Sequence, residues 1–216
     1  SGAATNDILS IVAYGTFQLA NISIKDLTDT PAGFGTAGQA LVMNANANGL
    51  EYANASSPEV YGFQKNTITE KSKTNPLSDN ARKILLCEKK LLENSSFESC
   101  IIRLGGLIGP NRHPIFSLSG KQNLPNPKSP INFIHQKDAV SITLCLSENW
   151  NGNEIFNAVT SYHPQREDYY MSISKIAKVD PPKFEKKGKI RGEISSCKLL
   201  KLTNYQFEVE NLLILN

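Results

Sequence analysis

Three short stretches of this chain carry side chains that can do chemistry. Ser56-Ser57-Pro58-Glu59-Val60-Tyr61-Gly62 puts hydroxyls, a carboxylate and a phenol close together. Arg103-Leu104-Gly105-Gly106-Leu107-Ile108-Gly109-Pro110 joins an arginine to glycines that let backbone approach a ligand closely. Gly33-Phe34-Gly35-Thr36-Ala37-Gly38 fits G-x-G-x-x-G, the turn that offers backbone N–H groups and a helix N-terminus to a pyrophosphate. That turn needs a buried strand directly before its first glycine. Thr30-Pro31-Ala32 stands there instead, and Pro31 cannot donate within a central strand. Gln39 to Met43 is too short for the crossover helix, and Glu51, near the distance of the acidic ribose partner, sits inside Leu50-Glu51-Tyr52 rather than at a strand end. These glycines are therefore not expected to hold a dinucleotide.

The remaining reactive side chains point to fewer chemistries. His113, His135 and His163 are isolated from one another, and Cys87, Cys100, Cys145 and Cys197 show no C-x-x-C spacing, so no metal site is expected. The cysteines read as small buried hydrophobes in a reducing compartment, the cytoplasm. Lys183, Lys186, Lys187, Lys189 and Arg191 crowd together with only Phe184 among them. Nucleic-acid binding would want interleaved aromatics and a recognisable module, so this run reads as a solvated loop or a contact to an anionic substrate.

The elements that must position these residues follow from composition and period. A chain of 216 residues, 40% hydrophobic and 20% charged, can bury one sizeable core. No apolar run is long enough to span a membrane. Residues 1–55 are rich in Ala, Asn, Gly and Thr and hold Lys25 against Asp7, Asp26, Asp29 and Glu51; beyond Ser56 the chain is Lys-rich with long apolar periodicities. This shift marks a boundary between a small β or irregular arm, 1–55, and an α/β part, 56–216. In the arm, Ala40 to Met43 and Leu50 to Tyr52 read as extended around a turn at Asn44 to Gly49. In the second part, Ser78 or Asp79 caps a helix carrying Ala81, Ile84, Leu85 and Leu92. Glu98 to Leu104 is a strand, Ala139 to Leu146 a helix capped by Asp138, Glu154 to Val159 a strand, and Glu167 to Ala177 a helix stopped before Pro181-Pro182. Alternating helices and strands predict a mainly parallel sheet with helical crossovers. Tyr169-Tyr170 is expected to pack in the core.

Ser56 to Gly62, Arg103 to Pro110, Asn132-Phe133-Ile134-His135 with Asp138, and Phe156-Asn157-Ala158-Val159 stand in an order and spacing that resemble the second half of an extended short-chain dehydrogenase/reductase. These are the NAD(P)-dependent sugar epimerases and dehydratases, and the resemblance runs over residues 56–216. It implies a partial Rossmann-type parallel sheet with a substrate lobe, NAD or NADP as cofactor, and a nucleotide-sugar as substrate. By resemblance Ser57 bonds the substrate hydroxyl and Glu59 contacts substrate; the dehydratase aspartate position is Pro58, which argues against dehydration. The family's base is a Tyr with a Lys four residues on, whose ammonium lowers the phenol pKa. Those positions fall at Ser78 and Arg82, or, shifted by two, at Asn80 and Ile84, and neither alignment offers a phenol. Arg82 supplies positive charge but cannot cycle a proton near neutral pH. Arg103, Gly105 and Gly109 fall where the family passes the nicotinamide carboxamide, and Arg112 is a candidate anion contact. His135 and Asp138 are expected to be structural.

Residues 22–53 resemble a module of bacteriophage tail-fibre and virion proteins, which implies a stalk or adaptor element within trimers. Several βα units are needed for a nucleotide-binding half, and 55 residues of turn-rich sequence cannot supply them. The chain is thus expected to be a truncated, weak or inactive epimerase/dehydratase-like protein. The alternative is a virion or tail-associated structural or glycan-contacting protein. A homo-oligomer is expected on either reading, a dimer on the first and a trimer on the second, with no nucleic-acid or membrane partner.

Overall fold

The computed structural model describes residues 39–43, 50–95, 98–110, 112–150 and 152–215, with side chains from Ser56 onward. The Gly33–Gly38 turn and most of the stretch resembling the tail-fibre module lie outside the described residues. Strands β1 (Gln39–Met43) and β2 (Leu50–Ser56) pair antiparallel, Met43 opposite Leu50. After a 3-10 turn at Pro58–Tyr61 come helix α1 (Asp79–Leu92), strands β3 (Cys100–Leu104) and β4 (Gly106–Ile108), and helix α2 (Pro114–Leu118). Then follow β5 (Phe133–His135), α3 (Gln136–Asn149), β6 (Glu154–Ala158), α4 (Arg166–Ala177) and α5 (Cys197–Thr203).

The larger sheet has the order β1-β2-β3-β6, with β2, β3 and β6 parallel; β4 and β5 form a second, parallel pair. This is the expected α/β architecture with helical crossovers. β2 runs across the position where the composition changes, and β1 lies along its outer edge. The β4–β5 pair and the short helices α2 and α5 were not legible in the pattern, because three residues are too few to show strand alternation and five to seven make under two helical turns.

Local chemistry sets the helix ends. Ser78 Oγ accepts from Ala81 N at 3.1 Å and caps α1, as expected. Lys178 closes α4 in the left-handed region, φ 54°, just before the prolines. The cap of α3 differs from expectation: His135 Nδ1 accepts from Lys137 N at 3.2 Å. Asp138 is fully buried and turns away, accepting from Tyr205 Oη at 2.9 Å, Glu208 N at 2.7 Å and Val209 N at 3.2 Å. It is a clamp for the C-terminal segment. A carboxylate within the first turn can face the axis or a neighbour, and here three donors outside the helix win.

Strand alternation divides the core. Ile102, Leu104, Phe156 and Ala158 face α3 and α5, meeting Ile142, Leu146 and Leu199. Each Ile, Leu or Phe side chain among them contributes roughly 1.5–3 kcal/mol by leaving water. A second cluster builds the lobe from Ile108, Ile115, Ile131, Tyr169, Tyr170 and Ile173. A third, Val60, Tyr61, Ile68, Val159 and Ile194, joins the lobe to the sheet. The cysteines depart from the buried expectation: Cys87, Cys100 and Cys145 are half-buried and Cys197 is exposed. Burial still pushes the Cys100 thiol up to about 12.

Candidate functional site

On the α1 face of the sheet the pleat sets three polar residues in one row: Ser56 of β2 is in register with Arg103 of β3, which is in register with Asn157 of β6. All three are buried. Arg103 donates to Glu88 of α1 through Nε at 2.9 Å and Nη2 at 2.6 Å, and through Nη1 to Tyr61 Oη at 2.7 Å. Ser56 Oγ donates to the same Glu88, and Tyr61 Oη donates to Asn157 Oδ1 at 2.9 Å. Burial pulls the Arg103 guanidinium down, but the hydrogen bonds and charge of Glu88 outweigh it and hold its pKa above the usual value. Burial raises Tyr61, against the pull of Arg103. The network satisfies its members inside the fold and fixes the turn that follows β2.

Beyond this row the parallel strands end, and a cleft of about 360 Å³ opens between their C-terminal ends and the lobe. In open α/β sheets this is where ligands bind. Ser57, Glu59 and Gly105 line it, as do Arg166, Tyr170 and Arg191. Ser57 Oγ accepts from Glu59 N at 3.2 Å, so its own proton is free to donate. Arg191 Nη2 donates to Pro58 O at 2.5 Å, while its buried Nε has no protein partner. Burial lowers the Arg191 pKa, with Glu59 opposing. Arg166 donates to Pro125 O at 2.7 Å and lies over the rings of Tyr170 and Phe184, 5.9 and 5.6 Å from their centres. Burial raises the Tyr170 phenol despite Arg166, which keeps it protonated near neutral pH.

The other residues singled out from the sequence stand elsewhere. Ser78 is the α1 cap, and Arg82 is exposed on that helix, paired with Asp79 at 2.5 Å. Arg103 lies beneath the cleft within its network. Arg112 shares a tight turn with Gly109, donating its N to Gly109 O at 3.0 Å. The sequence reading passed over Arg166 and treated Tyr170 as packing alone; Tyr170 is both, buried in the lobe core and one wall of the cleft. Arg191 belonged to a basic run whose anionic reading was the signal for it. Among the described residues no three His, Cys, Asp or Glu side chains gather to hold a metal ion, and no helix is long and apolar enough to cross a membrane.

A dinucleotide fits the described residues poorly. The guanidinium of Arg103 is spent on Glu88 and Tyr61. A Cβ at Gly105 would come within 2.8 Å of Asn132 O, and one at Gly109 within 2.9 Å of the Gln136 side chain. At Gly105 and Gly109 the close approach is of the chain to itself, which accounts for these two glycines without a bound group.

No protein-family model matches the chain. Protein YeeZ of Escherichia coli strain K12 is 31% identical over 140 residues, covering 62% of this chain and 51% of that protein. The chain thus spans about half the length of the curated relatives it matches. Among solved structures, the dTDP-glucose 4,6-dehydratase of Bacillus anthracis in complex with NAD superposes with a TM-score of 0.62 at 16% identity, over 74% of this chain and 57% of that one. The UDP-glucuronic acid 4-epimerase of Bacillus cereus in complex with NAD gives 0.59 at 19% identity, over 72% and 55%. At such identities the likeness establishes architecture: the chain has the Rossmann-like α/β fold that these NAD-bound sugar-nucleotide enzymes share.

Proposed function

We propose that this chain is an NAD(P)-dependent sugar-nucleotide epimerase/dehydratase-like protein of weak or no catalytic activity, which retains a nucleotide-sugar site in the cleft beyond β2 and β3. The observation that carries this reading is the convergence of Arg166 and Arg191 with Ser57 and Glu59 on one cleft at the strand ends. Two guanidiniums, one with a buried N–H that has no protein partner, suit a diphosphate. A serine that can donate and a carboxylate that can accept suit sugar hydroxyls. The sugar nucleotides named for the Bacillus enzymes are of this class.

Weak catalysis follows from the missing proton relay. Ser78 serves the α1 backbone, and Arg82 is an exposed guanidinium paired with Asp79. Tyr170, in the cleft wall, has its pKa raised, opposite to what a phenolic base requires.

The test is calorimetric titration of the full chain with UDP-glucose and with glucose, alongside fluorescence titration with NADH and NADPH. UDP-glucose should bind, and Arg191→Ala should weaken it roughly 10–100-fold, the worth of a charge-assisted hydrogen bond. Equal binding of UDP-glucose by the parent and the variant would remove the site from this cleft. Turnover of UDP-glucose with added NAD would overturn the inactive reading.

A further inference from the structure

A second cleft, about 600 Å³, lies on the other side of the segment that carries Arg191. Ile194 lines both clefts, so the segment from Arg191 to Ser196 is the wall between them. That wall is held firmly: Ser195 N donates to Ile68 O at 2.8 Å, Ile68 N to Glu193 O at 2.7 Å, and Ile194 N to Asn132 Oδ1 at 2.9 Å. The polar residues of this second cleft take no part in the proposed nucleotide-sugar site.

Its lining has a particular chemistry. Thr160, two residues beyond the end of β6, is 1% exposed, and its hydroxyl makes no hydrogen bond to the protein although it is buried. Leaving such a group unpaired is costly, and it is the feature of a site waiting for a polar partner. The Thr160 backbone is fixed by donation to Phe133 O at 3.0 Å. Beside it, Ser195 Oγ accepts from Cys197 N at 3.2 Å and keeps its own proton to donate. His163 Nδ1 donates to Ile131 O at 2.9 Å, which leaves Nε2 as an acceptor in the neutral ring. Val159, Ile194 and Leu200 supply an aliphatic floor.

Rigid donors and acceptors over an aliphatic floor, with Glu193 and Lys201 balancing in charge, select a neutral ligand whose groups both donate and accept. The geometry points to a binding site for an uncharged saccharide, with Thr160 Oγ1 hydrogen-bonded to a ring hydroxyl. The cleft's volume accommodates one or two sugar rings.

The experiment is amide chemical-shift mapping of the full chain with D-glucose, D-galactose, N-acetyl-D-glucosamine and maltose at millimolar concentrations. At least one should shift the amides of Val159, Thr160, Ser161 and Ser195, saturably. Thr160→Val, which removes the unpaired hydroxyl and should melt no lower than the parent, should weaken that sugar about fivefold. Shifts confined to Ser57, Glu59 and Arg191 would assign the sugar to the first cleft and overturn the second site while leaving the nucleotide-sugar reading intact. No shift near Thr160 with any sugar, or unchanged affinity in Thr160→Val, would also overturn it. Failure of UDP-glucose to bind bears only on the first cleft.

Discussion

Glu88 should be the costliest single carboxylate to remove from the sheet face. Its two oxygens accept from Arg103 Nε and Nη2 and from Ser56 Oγ, and the Glu88 and Arg103 side chains are 2% and 3% exposed. Glu88→Leu leaves a guanidinium buried with Tyr61 Oη as its remaining partner in this network. Breaking such a pair from one side costs about 3–5 kcal/mol. With 1 kcal/mol worth roughly 2–4 °C at this size, the Tm should fall by roughly 6–20 °C. The double variant Glu88→Leu/Arg103→Met removes both charges and should recover to within about 2 kcal/mol of the parent, since matched apolar replacements avoid the stranded charge. Urea melts followed by far-UV circular dichroism give each free energy by linear extrapolation. A loss below about 1 kcal/mol for Glu88→Leu, or a double variant as unstable as the two singles summed, would refute the reasoning.

Three further outcomes are expected. His113 is buried against Tyr169 and accepts from Ile115 N through Nδ1; because Tyr169 Oη donates to Leu212 O, His113 Nε2 carries the proton donated to Tyr169. Desolvation lowers its pKa from 6.5 to about 4, so between these values the unfolded chain binds the extra proton. Stability is then fully present above 6.5 and falls as pH drops towards 4, by about 3 kcal/mol, a slope that should vanish in His113→Gln across urea melts at stepped pH. Asp138→Ala should free the segment beyond Thr203 for proteolysis while far-UV dichroism stays nearly unchanged, because that carboxylate holds Tyr205, Glu208 and Val209. Ser78→Ala should cost roughly 1 kcal/mol of stability as a lost helix cap and leave UDP-glucose affinity untouched, and a changed affinity would return Ser78 to the site.

The sequence by itself determined what depends on neighbours along the chain. The α1 cap at Ser78, the helical spacing of Ala81, Leu85 and Leu92, and the stop of α4 before Pro181 are local competitions for backbone hydrogen bonds and apolar burial, and they were legible. The alternation of helix and strand carried the parallel sheet. Motif order singled out Ser57 and Glu59 as substrate contacts and Gly105 as a cofactor neighbour, and the three line one cleft. The tertiary structure alone decided who faces whom. Arg191 reaches Pro58 from 133 positions away, and Arg103 finds Glu88 across a strand–helix interface that no spacing announces. Asp138 left its helix cap because Tyr205, Glu208 and Val209 bring three donors to it, about seventy positions on. Long-range pairing of buried polar groups depends on register and packing, which one-dimensional patterns do not encode. The same long-range folding leaves the Thr160 hydroxyl inside a cleft without a partner of its own.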